Sequence, residues 1–260
     1  MRTSRKRLIQ SVARRLGVGI TSYRHLQELR EGRGGDIDFL CSLDNERIVP
    51  ALRAMEHSKS QIRQDLFALS ELGFKRGGFF VEFGATDGIE ASNSHLLERR
   101  FGWRGLLAEP GRVWHRKLEA NRRVPIDKRC VWSASGERMP FHEADAAELS
   151  SIAGRAGHDM HSTRRRAGRT YEVETVSLND LLEQHGTPRR IDYLSIDTEG
   201  TEFDILEAFE FGRHDIGVIT CEHNYTENRE KVFALLSRHG YVRKSEGLSR
   251  FDDWYVKRPY

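Results

Sequence analysis

Hydrophobic and polar positions follow two periods along this chain, and the period switches several times. The run FFVEF at Phe79 to Phe83 is apolar on both faces and bounded by Gly77-Gly78 and Gly84, which predicts a short strand buried from both sides. Similar runs predict strand two at Gly105 to Glu109, strand three at Arg129 to Trp132, strand four at IDYLSID (191–197) and strand five at IGVITCE (216–222). Helical spacing lies between them, over Ser92 to Arg100, Arg112 to Asn121, SLNDLLEQH after a strand-like Glu172 to Val176, TEFDILEAFE and NREKVFALLSRHG. Ser177 with Asp180, and Thr201 with Asp204, have the spacing of capping boxes. The ending YVRKSEGLSRFDDWYVK reads as two strands joined by a polar turn, an antiparallel hairpin at a sheet edge. Strands alternating with helices predict an α/β fold with a mostly parallel sheet.

Two stretches break the alternation. From Asp36 to Leu72 the pattern is helical throughout, with a break at Gly32 to Gly35 and a start or kink near Pro50, so an N-terminal helical extension or cap over 1–72 precedes an α/β domain over 73–260. Within it Gln61, Gln64 and Asp65 are either site contacts or the outer face of a helix that turns Leu66, Phe67 and Leu69 inward. From Glu143 to Arg169 the apolar period disappears and Gly, His and Arg accumulate; a loop of that length is functional or disordered. Arg164, Arg165, Arg166 and Arg169 there are candidates to clamp a phosphate or uronate of a substrate, with a mobile solvated loop as the alternative.

Composition narrows the class. The 260 residues can bury one sizeable core, and 42 basic against 39 acidic residues give a formal net charge of +3, too even to imply nucleic acid. Cys41, Cys130 and Cys221 are far apart without CxxC spacing and read as reduced core residues of a cytoplasmic protein. No apolar run is long enough for a transmembrane helix. The basic N-terminus MRTSRKRLIQSVARRLGVGI is either a solvated arm or an amphipathic helix making peripheral contact with anionic lipid.

The candidate chemistry starts at the end of the first strand. Gly84 and Gly88 let the backbone turn tightly against a ligand, and Glu109 follows roughly 20 residues later at the end of strand two, where an acid accepts both hydroxyls of a ribose. GATDG is not GxGxxG and the chain has no GxxxxGK[ST], so nothing cradles a pyrophosphate and a dehydrogenase is disfavoured. S-adenosylmethionine (SAM) fits better. Its ammonium would meet Glu82 or Asp87, its carboxylate a helix N-terminus near Ser92 and Asn93, and its adenine would stack near Trp132 and Ser133.

A second constellation combines Asp197 at the end of strand four with Glu222, His223 and Asn224 at the end of strand five. An aliphatic hydroxyl has a pKa near 16, so prior deprotonation by a histidine near 6.5 would cost roughly 12 kcal/mol. Two routes remain. His223 takes the proton as the new bond forms, or a divalent cation on Asp197, Glu222 and Asn224, of the kind of Mg²⁺, Ca²⁺ or Mn²⁺, acidifies the hydroxyl. Glu199 reads as a direct participant or a surface acid, and Asp252, Asp253 and Trp254 as acceptor-pocket residues or supports of the hairpin.

VEFGATDG with SNS following, LLERRFGWRGLLAEP, IDYLSIDTEG followed by EFDIL, CEHNYT and the closing FDDWYV resemble the FkbM-type SAM-dependent methyltransferases, from about Ser60 to Val256. Gln61, Gln64 and Asp65 also match a polar SQxxQDxF pattern of FkbM-like chains. The resemblance implies a class I SAM-dependent methyltransferase (Rossmann-like) fold, seven strands with an antiparallel C-terminal hairpin. It also implies methyl transfer to a hydroxyl of a sugar, glycolipid, polysaccharide or polyketide, a small-molecule or glycan acceptor and no nucleic acid. The strand-end acids are partly similar to those of catechol and macrocin O-methyltransferases, whose metal acids follow strands four and five; here the fifth-strand acid is Glu222, with His223 beside it. An RNA methyltransferase would need a base-flipping motif that is not recognisable here, and a scaffold without chemistry fits poorly with acids at both strand ends.

Overall fold

The computed structural model describes residues 35–144, 150–152 and 168–258. Residues 35–41 are helical, followed by α1 (Asn45–Met55) with Pro50 inside it, and α2 (Gln64–Glu71). Between residues 35 and 71 the helical stretch is thus divided into separate pieces. Residues 1–34, which hold the basic segment, lie outside the described residues. No helix among the described residues is long and apolar enough to cross a membrane.

The main sheet has seven strands: β1 (Phe79–Phe83), β2 (Arg104–Ala108), β3 (Ile126–Asp127), β8 (Arg190–Ile196), β9 (Asp215–Glu222), β10 (Tyr241–Lys244) and β11 (Asp252–Lys257), in the order β10-β11-β9-β8-β1-β2-β3. The first five are parallel to one another. β11 runs antiparallel to both β9 and β10, so the C-terminal hairpin sits in the sheet with its last strand inside and β10 at the edge.

The burial of both faces follows from the period of two. Val81 and Phe83 of β1, and Leu106 and Ala108 of β2, face one core; Phe80 and Leu107 face the other. Helices α5 (Leu178–Gln184), α6 (Glu202–Glu207) and α7 (Asn228–Arg238) cover the first through Leu181, Ile205 and Leu236. Helices α2, α3 (His95–Phe101) and α4 (Arg112–Asn121) cover the second through Leu66, Leu96 and Leu118. Phe67 of α2 stacks on Trp254 of β11 with ring centroids 4.7 Å apart, so this part of the extension is core.

Two expectations are corrected by a second, four-stranded sheet. It consists of β4 (Cys130–Trp132), β7 (Gly168–Ser177), β5 (Arg138–Ala144) and β6 (Ser151–Ile152), in the order β4-β7-β5-β6. Cys130 to Trp132 is therefore not strand three; that position belongs to Ile126–Asp127, and β4 pairs with β7 instead. The aperiodic stretch from Glu143 to Arg169 is shorter than its composition predicts, because β5 and β7 form a ladder from Arg138↔Glu174 to Ala144↔Gly168. Exposed polar residues on one side of that ladder hid its period.

Capping differs as well. Ser177 Oγ accepts the Asp180 amide at 3.1 Å as expected. Thr201 makes no cap bond; Glu202 Oε1 instead accepts the amides of Thr198 and Gly200, each at 3.0 Å. Of the cysteines, Cys130 and Cys221 are buried and free, whereas Cys41 is exposed.

Gly84 joins the ends of two strands. Its φ is 73°, and a Cβ there would lie 2.0 Å from the Asp197 carbonyl oxygen. Gly84→Ala should therefore destabilise the protein by roughly 3 kcal/mol or more, in the tail of single-substitution effects, read as a fall in denaturant midpoint; an unchanged midpoint would refute the contact.

Candidate active site

The carboxyl ends of β1, β2, β8 and β9 share one edge, and two groups of side chains meet there. Glu109, one residue past β2, is 5% exposed. One of its oxygens accepts the Thr86 amide at 2.8 Å and the other the Gly111 amide at 2.7 Å, which leaves further acceptor capacity on each. Burial pushes the carboxyl up to about 7 despite these two bonds.

A cavity adjoins it. Phe83, Gly84 and Thr86 form one wall, Trp114, Cys130 and Val131 another, and Asp197 and Thr198 the end nearest β8. Phe141 of β5 and Ser151 and Ile152 of β6 close it from the second sheet. No sequence signal marks this cover, because β6 is two residues long and carries no period.

Glu82, Asp87, Gly88, Ser92 and Asn93 are not among the lining residues. They build the turn beside it. Glu82, buried in β1, accepts the Asn93 amide at 2.6 Å and the hydroxyls of Ser92 and Ser94, and lies 3.6 Å from Arg122 Nη1. Asp87 Oδ1 caps the turn by accepting the Ile89 and Glu90 amides, each at 2.9 Å. Helix α3 starts at His95, later than expected, because Ser92 to Ser94 are drawn to Glu82. Trp132 and Ser133 do not line the cavity either; Trp132 packs with Phe141, Ile152 and Val173 in a core of the second sheet.

The second group is a cluster of acids. Oxygens of Asp197, Glu199 and Glu222 lie within 4.8 Å of one another. Glu199 sits in a turn at φ 60°, where its side chain is turned back to the strand ends and 7% exposed. Asn224 Nδ2 donates to Glu199 Oε2 at 3.4 Å. Burial raises Asp197 to about 7, with Asp252 pushing the same way, and burial together with Asp197 and Glu199 raises Glu222 well above the carboxylate range. Glu222 Oε2 is buried without a hydrogen-bond partner. Asp252, the register partner of Glu222, is raised to about 7 by burial and accepts Gln64 Nε2 at 2.9 Å. Gln64 is thus buried and holds Asp252, the register partner of Glu222; Gln61 is exposed, and Asp65 accepts Ser58 Oγ at 2.8 Å within its own segment.

His223 is 5% exposed. Its Nδ1 accepts the Tyr225 amide at 2.9 Å, which leaves the proton on Nε2, and Nε2 lies 3.8 Å from Asp253 Oδ1 with no hydrogen bond. Burial lowers its pKa, so the ring is neutral at pH 7. Asp253 is taken up by Arg229 at 2.9 Å and Arg243 at 3.2 Å. Arg169 pairs with Glu143, Nε to Oε1 at 2.8 Å, on the second sheet; Arg164, Arg165 and Arg166 lie outside the described residues.

A doubly wound sheet of this strand order, with its antiparallel insertion next to β9, is the class I SAM-dependent methyltransferase fold. A family model described as the methyltransferase FkbM domain matches residues 82–243, and the chain belongs to that family of SAM-dependent methyltransferases, which act on small-molecule and carbohydrate acceptors. Among solved structures it is similar to methyltransferase FkbM from Methylobacillus flagellatus KT, at 13% identity and a TM-score of 0.46 over 96% of this chain and 70% of that one. It is also similar to precorrin-6y C5,15-methyltransferase from Geobacter metallireducens GS-15, at 15% identity and a TM-score of 0.38 over 74% of this chain and 85% of that one. No curated protein matches it.

Proposed function

We propose that the chain transfers the methyl group of SAM to a hydroxyl oxygen of a sugar, glycolipid, polysaccharide or polyketide, with Glu109 holding the ribose and the acid cluster serving the acceptor. The observation that carries this reading is the double position of Asp197, which lines the nucleoside cavity and belongs to the acid cluster. A methyl group on the sulfur would therefore lie between donor and acceptor sites. The acceptor oxygen attacks that carbon, the carbon–sulfur bond breaks to leave a neutral thioether, and the hydroxyl proton passes to a carboxylate.

Of the two routes for the proton, the acid cluster is favoured over His223, whose Nδ1 is engaged and whose Nε2 already carries hydrogen. The principal influences on Asp197 and Glu222 are burial, other carboxylates and a hydrogen bond between them. Such a group keeps protons or takes a cation. Three carboxylates and the orphaned Glu222 Oε2 fit a hard divalent ion of the magnesium, calcium or manganese type, held by Asp197, Glu199 and Glu222 with Asn224 orienting Glu199. When bound, the ion would acidify the acceptor hydroxyl. Exhaustive chelation should abolish turnover and add-back of Mg²⁺, Mn²⁺ or Ca²⁺ should restore it, measured with labelled SAM; full activity in the stripped enzyme rejects the ion.

A further inference from the structure

We propose that Glu143 and Tyr171 are positioning residues for the cofactor: they fasten the second sheet to the amino end of α4, and so set how tightly and for how long the nucleoside cavity holds SAM. The inference rests on the methyl-transfer reading above and deepens it, since it concerns the same cavity. Neither residue lines that cavity. Both act through residues that do.

Helix α4 has a glycine at its cap position, so its first amides must be met from elsewhere in the fold. Gly111 donates to Glu109 Oε1 at 2.7 Å, Arg112 to the Tyr171 hydroxyl at 2.9 Å and Val113 to Glu143 Oε2 at 3.2 Å. The last two acceptors are joined, because the Tyr171 hydroxyl donates to Glu143 Oε2 at 2.7 Å. Arg169 occupies the other oxygen, Oε1, through Nε at 2.8 Å and Nη2 at 2.7 Å. The Arg112 guanidinium also lies over the Tyr171 ring, 4.1 Å from its centroid. Three successive amides are thus divided between the ribose acid and the second sheet.

The same two residues support the cavity wall from the other side. Tyr171 of β7 stands opposite Phe141 of β5, with ring centroids 5.7 Å apart, and Glu143 follows two residues later on the same face of β5. Phe141 lines the cavity, and so does Ile152, its register partner in β6. Trp114, the residue after Val113, lines it from α4. Glu143 is 6% exposed, and a buried carboxylate persists only where its charge and hydrogen bonds are met, which here requires α4 and the second sheet to stay together. Without the contacts to α4, Phe141 and Trp114 lose their fixed spacing and Gly111 is less firmly presented to Glu109. The fraction of molecules ready to bind then falls, and apparent affinity falls in proportion.

The test uses Tyr171→Phe, which keeps the ring and removes the hydroxyl, with Glu143→Ala and Glu143→Gln beside it. Calorimetry measures SAM affinity, stopped-flow fluorescence measures SAM dissociation, and thermal melts establish a temperature at which each variant is folded. Affinity should fall roughly fivefold in Tyr171→Phe and roughly twentyfold in Glu143→Ala, with most of the loss in faster dissociation. Glu143→Gln keeps one acceptor oxygen and should lie between Glu143→Ala and the parent. The effect of Tyr171→Phe should also shrink in a Glu109→Gln background, because part of it passes through Gly111. If Glu143→Ala does not fold, Tyr171→Phe and Glu143→Gln decide. Unchanged SAM affinity and dissociation in folded Tyr171→Phe, Glu143→Gln as weak as Glu143→Ala, or full additivity with Glu109→Gln overturns this inference while SAM binding stands. Failure of SAM to bind the parent overturns the methyl-transfer reading and this inference together.

Discussion

Replacing Glu109 with glutamine should weaken SAM binding by about a hundredfold. The carboxylate would accept two ribose hydroxyls while holding Thr86 and Gly111, and losing hydrogen bonds to a charged acceptor, at about 1.5–3 kcal/mol each, sets the scale. Its titration adds a second signature. A carboxyl held at about 7 rather than 4.5 must ionise to bind, so SAM affinity should fall about tenfold for each pH unit below 7. For the free protein the sign is opposite. The raised folded value makes Glu109 a burden that is absent below pH 4.5, grows as pH rises through the window to 7, and above it is on the order of 3 kcal/mol. Glutamine removes that burden but points an amide N–H at Thr86 or Gly111. The melting temperature of Glu109→Gln relative to the parent should therefore rise between pH 5 and pH 8. Calorimetric titration and thermal melts across that range check both; a SAM affinity indifferent to the substitution would refute the ribose contact.

Asp197→Asn should reduce turnover by about a thousandfold and leave SAM affinity within about twofold. The size is that of a lost acid–base or metal-holding group. The cofactor is spared because the close contact with Gly84 is made by the Asp197 backbone carbonyl, which asparagine retains. Single-turnover transfer of labelled methyl, set beside calorimetry, separates the two functions; weakened SAM binding with normal turnover would reverse the assignment.

The parts legible in the sequence are those whose information is local. FFVEF, IDYLSID and IGVITCE announced strands because each alternates between two cores, and Glu109 and Asp197 were found because both follow such runs. Cys130 to Trp132 misled because a three-residue apolar run does not name its partner, and its partner, Thr175 to Ser177, lies in a sheet that short strands conceal. Glu199 was harder to place than Asp197 because its approach to the cluster depends on a left-handed turn before Gly200, which residue type alone does not specify. Gln64 and Asp252 meet across the fold with a separation of 188 residues, and no spacing rule reaches that far. Glu82 was a candidate for the SAM ammonium because it precedes the glycine turn at the end of the first strand; its partners in the structure are three residues of the following turn and an arginine at the end of α4.

That arginine ties the turn after β1 to the folding of the whole domain. Arg122 is fully buried and reaches the Gly88 carbonyl, Ser92, Ser94 and Glu98 from the residue that closes α4. If α4 came loose, Glu82 would be left buried without its counter-charge and the turn would lose the clamp on its far side. Hydrogen exchange at the Asn93 amide should then follow the slow, global opening shared with α4, although the turn by itself has the length and composition of a fast-exchanging loop. The shape of the turn beside the cavity is acquired in the same cooperative event as the fold, and is surrendered with it.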